Sequence, residues 1–216
     1  MPSVVMLSSP KGGVGKSSIS RNLLVSAAQA GRSVVGLDLD AQKTLTTWAE
    51  RRERVRTALP GLPVIPVVVS TLDEWRAGLK QARATGADIV VVDTPPSIEL
   101  NVAAIAALSA AADLTLVPSL PTQDDVDSTA PWMARLRGGN AKAAFVLNRA
   151  NARTKSYTAM RAKLLGFGPL CPMEIPTLEE IHTAAGKGLG VLDLTKATST
   201  DTFQGLWNYV CLEVGL

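Results

Sequence analysis

The sequence predicts an α/β protein with a doubly wound, mostly parallel sheet flanked by helices. Two observations predict this class. Short runs of β-branched residues alternate with longer helical patterns, as they do in successive βαβ units. Several of the short runs, such as 89–92, are apolar at every position, which is typical of parallel strands covered by helices on both faces.

The predicted elements follow one another at regular intervals. Strands are expected at 3–9, 33–38, 63–68, 88–93, 114–118 and 143–148. Helices are expected at 17–30, 43–58, 71–85, 98–111, 123–138, 153–166 and 200–214, the third of them opening on a capping box, Thr71 to Glu74. No repeat or linker interrupts this series, so we expect one domain spanning residues 1–216.

Composition narrows the class of protein. Of the 216 residues, 46% are hydrophobic and 19% are charged, so the chain can bury a core and is not expected to be disordered. The apolar start lacks a basic n-region, and no apolar run approaches the roughly 20 residues of a transmembrane helix. Cys171 and Cys211 form no metal-type spacing, which favours free thiols in a reducing cytoplasm.

A glycine-rich loop joins the first strand to the first helix, where residues 8–18 read SSPKGGVGKSS. Glycines let backbone amides face inward and cradle phosphate oxygens, and the helix N-terminus adds partial positive charge. Lys16 is expected to reach the β- and γ-phosphates, and the Ser17 hydroxyl to bind Mg²⁺. Pro10, however, stands where the ordinary phosphate loop has glycine.

This segment resembles the deviant Walker A motif of the ParA/MinD superfamily of ATPases, which requires the early lysine and not a preceding glycine. The resemblance implies a P-loop NTPase fold of the deviant Walker A type, with ATP bound by the whole motif: Lys11, Gly12, Gly13, Val14, Gly15, Lys16, Ser17 and Ser18. It also implies a homodimer with ATP sandwiched between the subunits, in which Lys11 contacts the phosphates held by the other subunit.

Two further strands end in carboxylates. The resemblance extends to Asp38-Leu39-Asp40-Ala41-Gln42, where Ala41 replaces the usual proline, and to the Asp-Thr-Pro-Pro sequence that starts at Asp93. It implies that Asp40 orients the attacking water, that Asp38 lies near the Mg²⁺ shell, and that Asp93 holds Mg²⁺ through water. Lys16, Lys11 and Mg²⁺ would then neutralise charge on the γ-phosphoryl group, with slow hydrolysis unless a partner assists.

The strand at 143–148 ends in Asn148, which the resemblance assigns to the adenine edge. Because a guanine-specific Asn-Lys-x-Asp motif is absent, ATP is favoured over GTP. Pro172 and Met173, in the loop after the next strand, are the other candidates for base contacts.

The stretch 128–173 contains no Asp or Glu, which suggests a polyanionic partner. ParA-type proteins bind DNA non-specifically once ATP has dimerised them, through cation–phosphate contacts that read no sequence. The candidate DNA contacts are Arg135, Arg137, Arg153, Lys155, Arg161 and Lys163. The resemblance therefore implies a cytoplasmic ATPase that associates with the nucleoid when ATP is bound.

The functional hypothesis that follows is an ATPase that positions a cargo, such as a plasmid, a chromosome region or a carboxysome, and that a partner protein stimulates. One alternative is a MinD-like positioning ATPase. However, the apolar stripe at Phe203, Leu206, Trp207, Val210, Cys211 and Val214 has no Lys or Arg beside it, which favours packing on the core over membrane attachment.

The other alternative is an ATP-dependent ligase or synthetase, which would need a substrate pocket; His182 supports it only weakly. An iron–sulfur reductase is excluded because no cysteine follows Asp93 closely.

Overall fold

The computed structural model describes residues 1–96 and 101–216. Its strands are β1 Ser3–Leu7, β2 Val34–Asp38, β3 Val67–Val69, β4 Ile89–Asp93, β5 Leu114–Ser119, β6 Ala143–Ala150 and β7 Ile175–Pro176. Its helices are α1 Lys16–Gln29, α2 Thr44–Arg56, α3 Trp75–Ala84, α4 Val102–Ala110, α5 Gln123–Gly138, α6 Lys155–Phe167, α7 Glu179–Gly186 and α8 Thr200–Val214, with a short 3₁₀ turn at Val191–Asp193.

The strands form one sheet in the order β3-β2-β4-β1-β5-β6-β7. Every strand pairing among the described residues is parallel. The predicted doubly wound α/β class is therefore confirmed. Parallel pairing brings the carboxyl ends of β1, β2, β4 and β6 to the same edge of the sheet, which is where ligands bind in such folds.

Alternate residues of the central strands pack into two separate cores. In β4, Val90 and Val92 join the core beneath α3, α4, α5 and α6, whereas Ile89 and Val91 join the core beneath α1, α2, α7 and α8. Both faces of the sheet are thus buried, which explains why these strands are apolar at every position. Burial of this apolar area is the main favourable term in folding.

The C-terminal stripe packs on the second core, as predicted. Phe203, Leu206, Trp207 and Val210 are buried, and α8 lies against α1. No helix within 1–96 and 101–216 is long and apolar enough to cross a membrane.

Some predicted boundaries were wrong. The strand expected at 63–68 is the shorter β3, because Pro63 and Pro66 cannot donate to a ladder. Thr71 does accept a hydrogen bond from the Glu74 amide, at 3.3 Å, but only within a turn, and α3 begins at Trp75. The two-residue β7 was not predicted because it is too short to show a period. The predicted start of the helix at 98 lies outside the described residues.

Candidate functional site

The loop between β1 and α1 opens onto a cleft of about 310 Å³ at the carboxyl edge of the sheet. Gly13 and Gly15 adopt left-handed backbone conformations, with φ of 76° and 100°, which a residue with a side chain rarely tolerates. Val14 between them is buried and anchors the loop. The loop residues that line the cleft are Gly13, Gly15, Lys16, Ser17 and Ser18. The amides at the start of α1 therefore face a space that suits an anion.

Lys16 is nearly buried, with only 6% of the residue exposed. Its Nζ donates a hydrogen bond to the Lys11 carbonyl oxygen at 3.1 Å. Burial lowers the pKa of Lys16, and the carboxylates of Asp93 and Asp40 oppose that shift. The lysine is therefore held inside the loop, close to the acidic end of the cleft.

The two carboxylates that end β2 and β4 are register partners in neighbouring strands, Asp38 opposite Asp93. Asp38 already accepts hydrogen bonds: its Oδ2 from the Thr46 amide at 2.8 Å and its Oδ1 from the Asp40 amide at 3.1 Å. It therefore shapes the loop after β2. Asp40 itself is partly exposed and lines the cleft.

Asp93 is in a different position from Asp38. Its Oδ1 accepts a hydrogen bond from the Ser20 hydroxyl at 3.1 Å, and its buried Oδ2 has no partner among the described residues. Burial raises the pKa of Asp93 to about 7, and the charge of Asp38 adds to that rise. A fully buried carboxylate with an unpaired oxygen, close to the Ser17 hydroxyl, fits a magnesium site that keeps several water ligands. Asp93 is consequently a stronger candidate for metal binding than Asp38.

Lys11 belongs to the same loop but is not among the residues that line the cleft. Its Nζ is 3.8 Å from Asp125 Oδ2, and its side chain is 37% exposed. Asp125, in the first turn of α5, also accepts a hydrogen bond from the Thr122 hydroxyl at 2.5 Å. Only the fold brings Asp125 to Lys11, because the two residues are far apart in the sequence. The pair holds Lys11 against its own subunit.

The other end of the cleft is formed by β6, the loop after β7, and α7. Asn148 is buried there, and its Nδ2 donates to the Val14 carbonyl oxygen at 2.7 Å. Its Oδ1 makes no hydrogen bond in the described part of the chain, so this side chain offers an acceptor. Four residues that the sequence did not identify as ligands complete this end: Pro176, Thr177, Ile181 and His182.

Pro172 and Met173 do not line the cleft, contrary to expectation. Pro172 borders a separate surface depression with Tyr157 and Glu174. Met173 packs on α8, where a Cβ atom at Gly205 would lie 2.7 Å from its side chain. The physical reason is the unpredicted β7, which begins only at Ile175: Pro172 and Met173 precede this strand, and the chain reaches the cleft at its carboxyl end, at Pro176.

Two arginines in the cleft were also missed. Arg149 follows Asn148 with a left-handed φ of 51°, and Arg21 lies on α1 one turn after Ser17. Spacing could have identified Arg21, because residues four apart share a helix face. No pattern in the sequence could have identified Arg149.

The predicted DNA-binding residues are not equivalent to one another. The Nε of Arg161 forms an ion pair with Glu174 Oε1 at 2.7 Å, because the chain folds back so that residue 174 lies beside α6. The Lys163 Nζ donates to the Gln123 side chain. Four others are exposed and form no ion pair within the described ranges: Arg135, Arg137, Arg153 and Lys155. Arg161 is therefore a poorer candidate than the sequence suggested.

Comparison with known proteins extends these observations. A family model described as the CobQ/CobB/MinD/ParA nucleotide binding domain matches residues 5–191. Maintenance of carboxysome distribution protein A from Halothiobacillus neapolitanus is 31% identical over 191 residues, which cover 85% of this chain and 84% of the relative. Protein virC1 from Rhizobium rhizogenes is 30% identical over 191 residues, covering 86% of this chain and 80% of the relative.

A solved structure agrees with the fold. The septum site-determining protein MinD from Pyrococcus horikoshii, complexed with Mg-ADP, superposes with a TM-score of 0.77 at 17% identity, covering 97% of this chain and 96% of that one. The family model and the relatives confirm the resemblance seen in the deviant Walker A segment. The chain belongs to the CobQ/CobB/MinD/ParA family of nucleotide-binding domains.

Proposed function

We propose that this protein is a Mg²⁺-dependent ATPase that dimerises around ATP, binds DNA non-specifically in that state and positions a cargo. One observation carries the proposal: the phosphate-type loop, Asp40 and Asn148 line one cleft at the carboxyl edge of the sheet, and the buried carboxylate of Asp93 lies next to that loop. The carboxysome-distribution relative supports positioning as the role. A partner protein is proposed to stimulate hydrolysis.

Each group in the cleft has a defined task in this proposal. The loop amides and Lys16 hold the β- and γ-phosphates, and Asp93 and Ser17 hold the metal ion. When bound, Mg²⁺ neutralises charge that develops on the phosphate oxygens. Asp40, at the accessible side of the cleft, orients the attacking water.

Adenine is favoured over guanine at Asn148. One N–H of its Nδ2 is engaged by the Val14 carbonyl, and its Oδ1 is an acceptor without a hydrogen bond in the described part of the chain. An acceptor pairs with the amino group of adenine but not with the carbonyl oxygen at the same position of guanine. Pro176 and His182 are proposed to border the base.

Lys11 is proposed to act on the other subunit's nucleotide. Its contact with Asp125 is long and partly exposed, and exposed ion pairs contribute at most about 1 kcal/mol, so little free energy opposes its release. Charge-assisted contacts to a triphosphate would exceed this. ATP binding and dimerisation would then be coupled.

The proposal is tested by DNA binding and light scattering with ATP, ADP or no nucleotide. We expect dimers and DNA binding only with ATP and Mg²⁺, and neither in Lys16→Ala. Asp40→Ala should form ATP-bound dimers that hydrolyse slowly and so remain on DNA. Lys11→Ala should bind ATP as a monomer.

Two results would count against the proposal. DNA binding that is indifferent to nucleotide would remove the coupling on which positioning depends. Turnover that requires a small-molecule co-substrate would instead favour an ATP-dependent ligase or synthetase.

A further inference from the structure

We propose that Arg21 is a phosphate-binding residue that contacts the terminal phosphates of the nucleotide from within its own subunit. The inference rests on the proposed ATP-binding function and adds to it a second cation on α1.

Arg21 is placed for this role by helical spacing. It lies four residues after Ser17 on α1, so both side chains project from the same face of the helix. That face borders the cleft, which Arg21 lines together with Asp40 and Thr44. These two residues belong to the loop after β2 and the start of α2.

Arg21 is partly buried, and its guanidinium group has no counter-ion among the described residues. Its Nε is buried and has no hydrogen-bond partner, and the group forms no ion pair with any carboxylate within 1–96 and 101–216. Burial lowers the pKa of Arg21, the charge of Asp93 opposes that shift, and Arg51 adds to it. The guanidinium group is thus within electrostatic range of Asp93, which also acts on Lys16 of the phosphate loop.

The partners of Arg52, a buried arginine with a structural role, can be compared with those of Arg21. Its guanidinium forms a two-point ion pair with Asp193, at 2.6 and 3.1 Å, and donates further hydrogen bonds to backbone carbonyl oxygens. Arg21 has no comparable arrangement. A partly desolvated cation without a counter-ion costs free energy, and a planar fork of N–H donors matches phosphate oxygens closely. An arriving triphosphate would supply the missing anion.

The test uses the full-length protein and its Mg²⁺-dependent affinity for fluorescent ATP and ADP analogues. We expect Arg21→Met to weaken ATP binding about tenfold, the effect of one lost charge-assisted contact, and ADP binding by less than about threefold. Arg21→Lys, which keeps the charge but loses the fork, should lie between the two. Arg54→Met, which removes an exposed charge on α2, is the control and should match the unchanged protein.

A second measurement separates ligand binding from a structural role. Because methionine replaces an uncompensated charge with apolar volume, Arg21→Met should keep or raise the urea midpoint of the nucleotide-free protein. A lowered midpoint, equal losses for ATP and ADP, or no change in affinity would each overturn the assignment. Failure of the unchanged protein to bind ATP would overturn the proposed function as well, whereas normal binding by both proteins would overturn the Arg21 assignment alone.

Discussion

Asp93 ends β4 in surroundings that disfavour its negative charge. Burial raises its pKa to about 7, well above the ordinary value of 3.8. The folded, nucleotide-free protein therefore keeps a proton that the unfolded chain releases between about pH 4 and pH 7. Stability consequently falls as pH rises through this interval and is level above it. Asp93 thus reduces stability at neutral pH while fitting the role of a cation ligand.

We expect Asp93→Asn to stabilise the nucleotide-free protein at pH 8 while abolishing Mg²⁺-dependent ATP binding. The gain could reach roughly 4 kcal/mol, because each of about three pKa units corresponds to about 1.4 kcal/mol. Urea unfolding at pH 5.5 and pH 8 measures it, and the difference between the two pH values should shrink in the variant. Asp73→Asn, at an exposed position, should leave the pH dependence unchanged. Equal pH dependence in Asp93→Asn and the unchanged protein would contradict the prediction.

The elements behind the cleft are joined by a buried polar cluster. Arg52 of α2 pairs with Asp193 of the 3₁₀ turn, and both side chains are almost fully buried. The cluster also reaches α1, because Gln29 donates to Asp193 at 3.0 Å, and reaches the end of α7 through the Gly188 carbonyl. It therefore connects the helix that carries the phosphate loop to the helix that borders the base end of the cleft.

Removing one partner of this pair should destabilise the whole chain. We expect Arg52→Met to lower the free energy of unfolding by about 3–5 kcal/mol, because Asp193 would remain buried without its cation. Replacing both residues, as Arg52→Met with Asp193→Leu, should cost less than the two single changes combined. Urea unfolding tests this. Glu53→Gln, which breaks the exposed pair with Arg56 on the same helix, should change stability by less than about 0.5 kcal/mol.

Across the whole molecule, the exposed cations of the acid-free stretch 128–173 lie at two different edges of the sheet. A helix that follows a parallel strand begins at the carboxyl edge and ends at the amino edge. Arg153 and Lys155 lie at the start of α6, at the edge that holds the cleft, whereas Arg135 and Arg137 lie at the end of α5. Arg153 also borders a depression that includes Pro176 and Thr177, which line the cleft as well.

If ATP controls DNA binding, the cations at the cleft edge should matter more. We expect Arg153→Ala with Lys155→Ala to weaken ATP-dependent DNA binding and to reduce the slope of log affinity against log salt by about 2. Arg135→Ala with Arg137→Ala removes the same exposed charge and should leave the slope nearly unchanged. Titrations over a range of salt concentrations measure both. Equal slopes for the two double variants would show that the edges do not differ.

Local patterns in the sequence predicted much of this molecule. The alternation of strands and helices, the apolar runs and the motif at Lys11–Ser18 predicted the fold class, the family and the cluster of Lys16, Asp40 and Asp93 at one edge of the sheet. These features depend on periodicity, on the conformational freedom of glycine and on the rule that parallel strands end together. All three can be read within short windows of sequence.

Contacts between distant segments were decided only by the tertiary structure. Asp125 forms an ion pair with Lys11, and Glu174 forms one with Arg161. Pro176, and not Pro172, lines the cleft. Each of these outcomes depends on how elements that are distant in the sequence pack together. Arg21 and Arg52 have the same chemistry in the sequence, yet one has a buried carboxylate partner and the other has none among the described residues. Charge is a property of the residue, whereas burial and the presence of a counter-ion arise only when the chain folds.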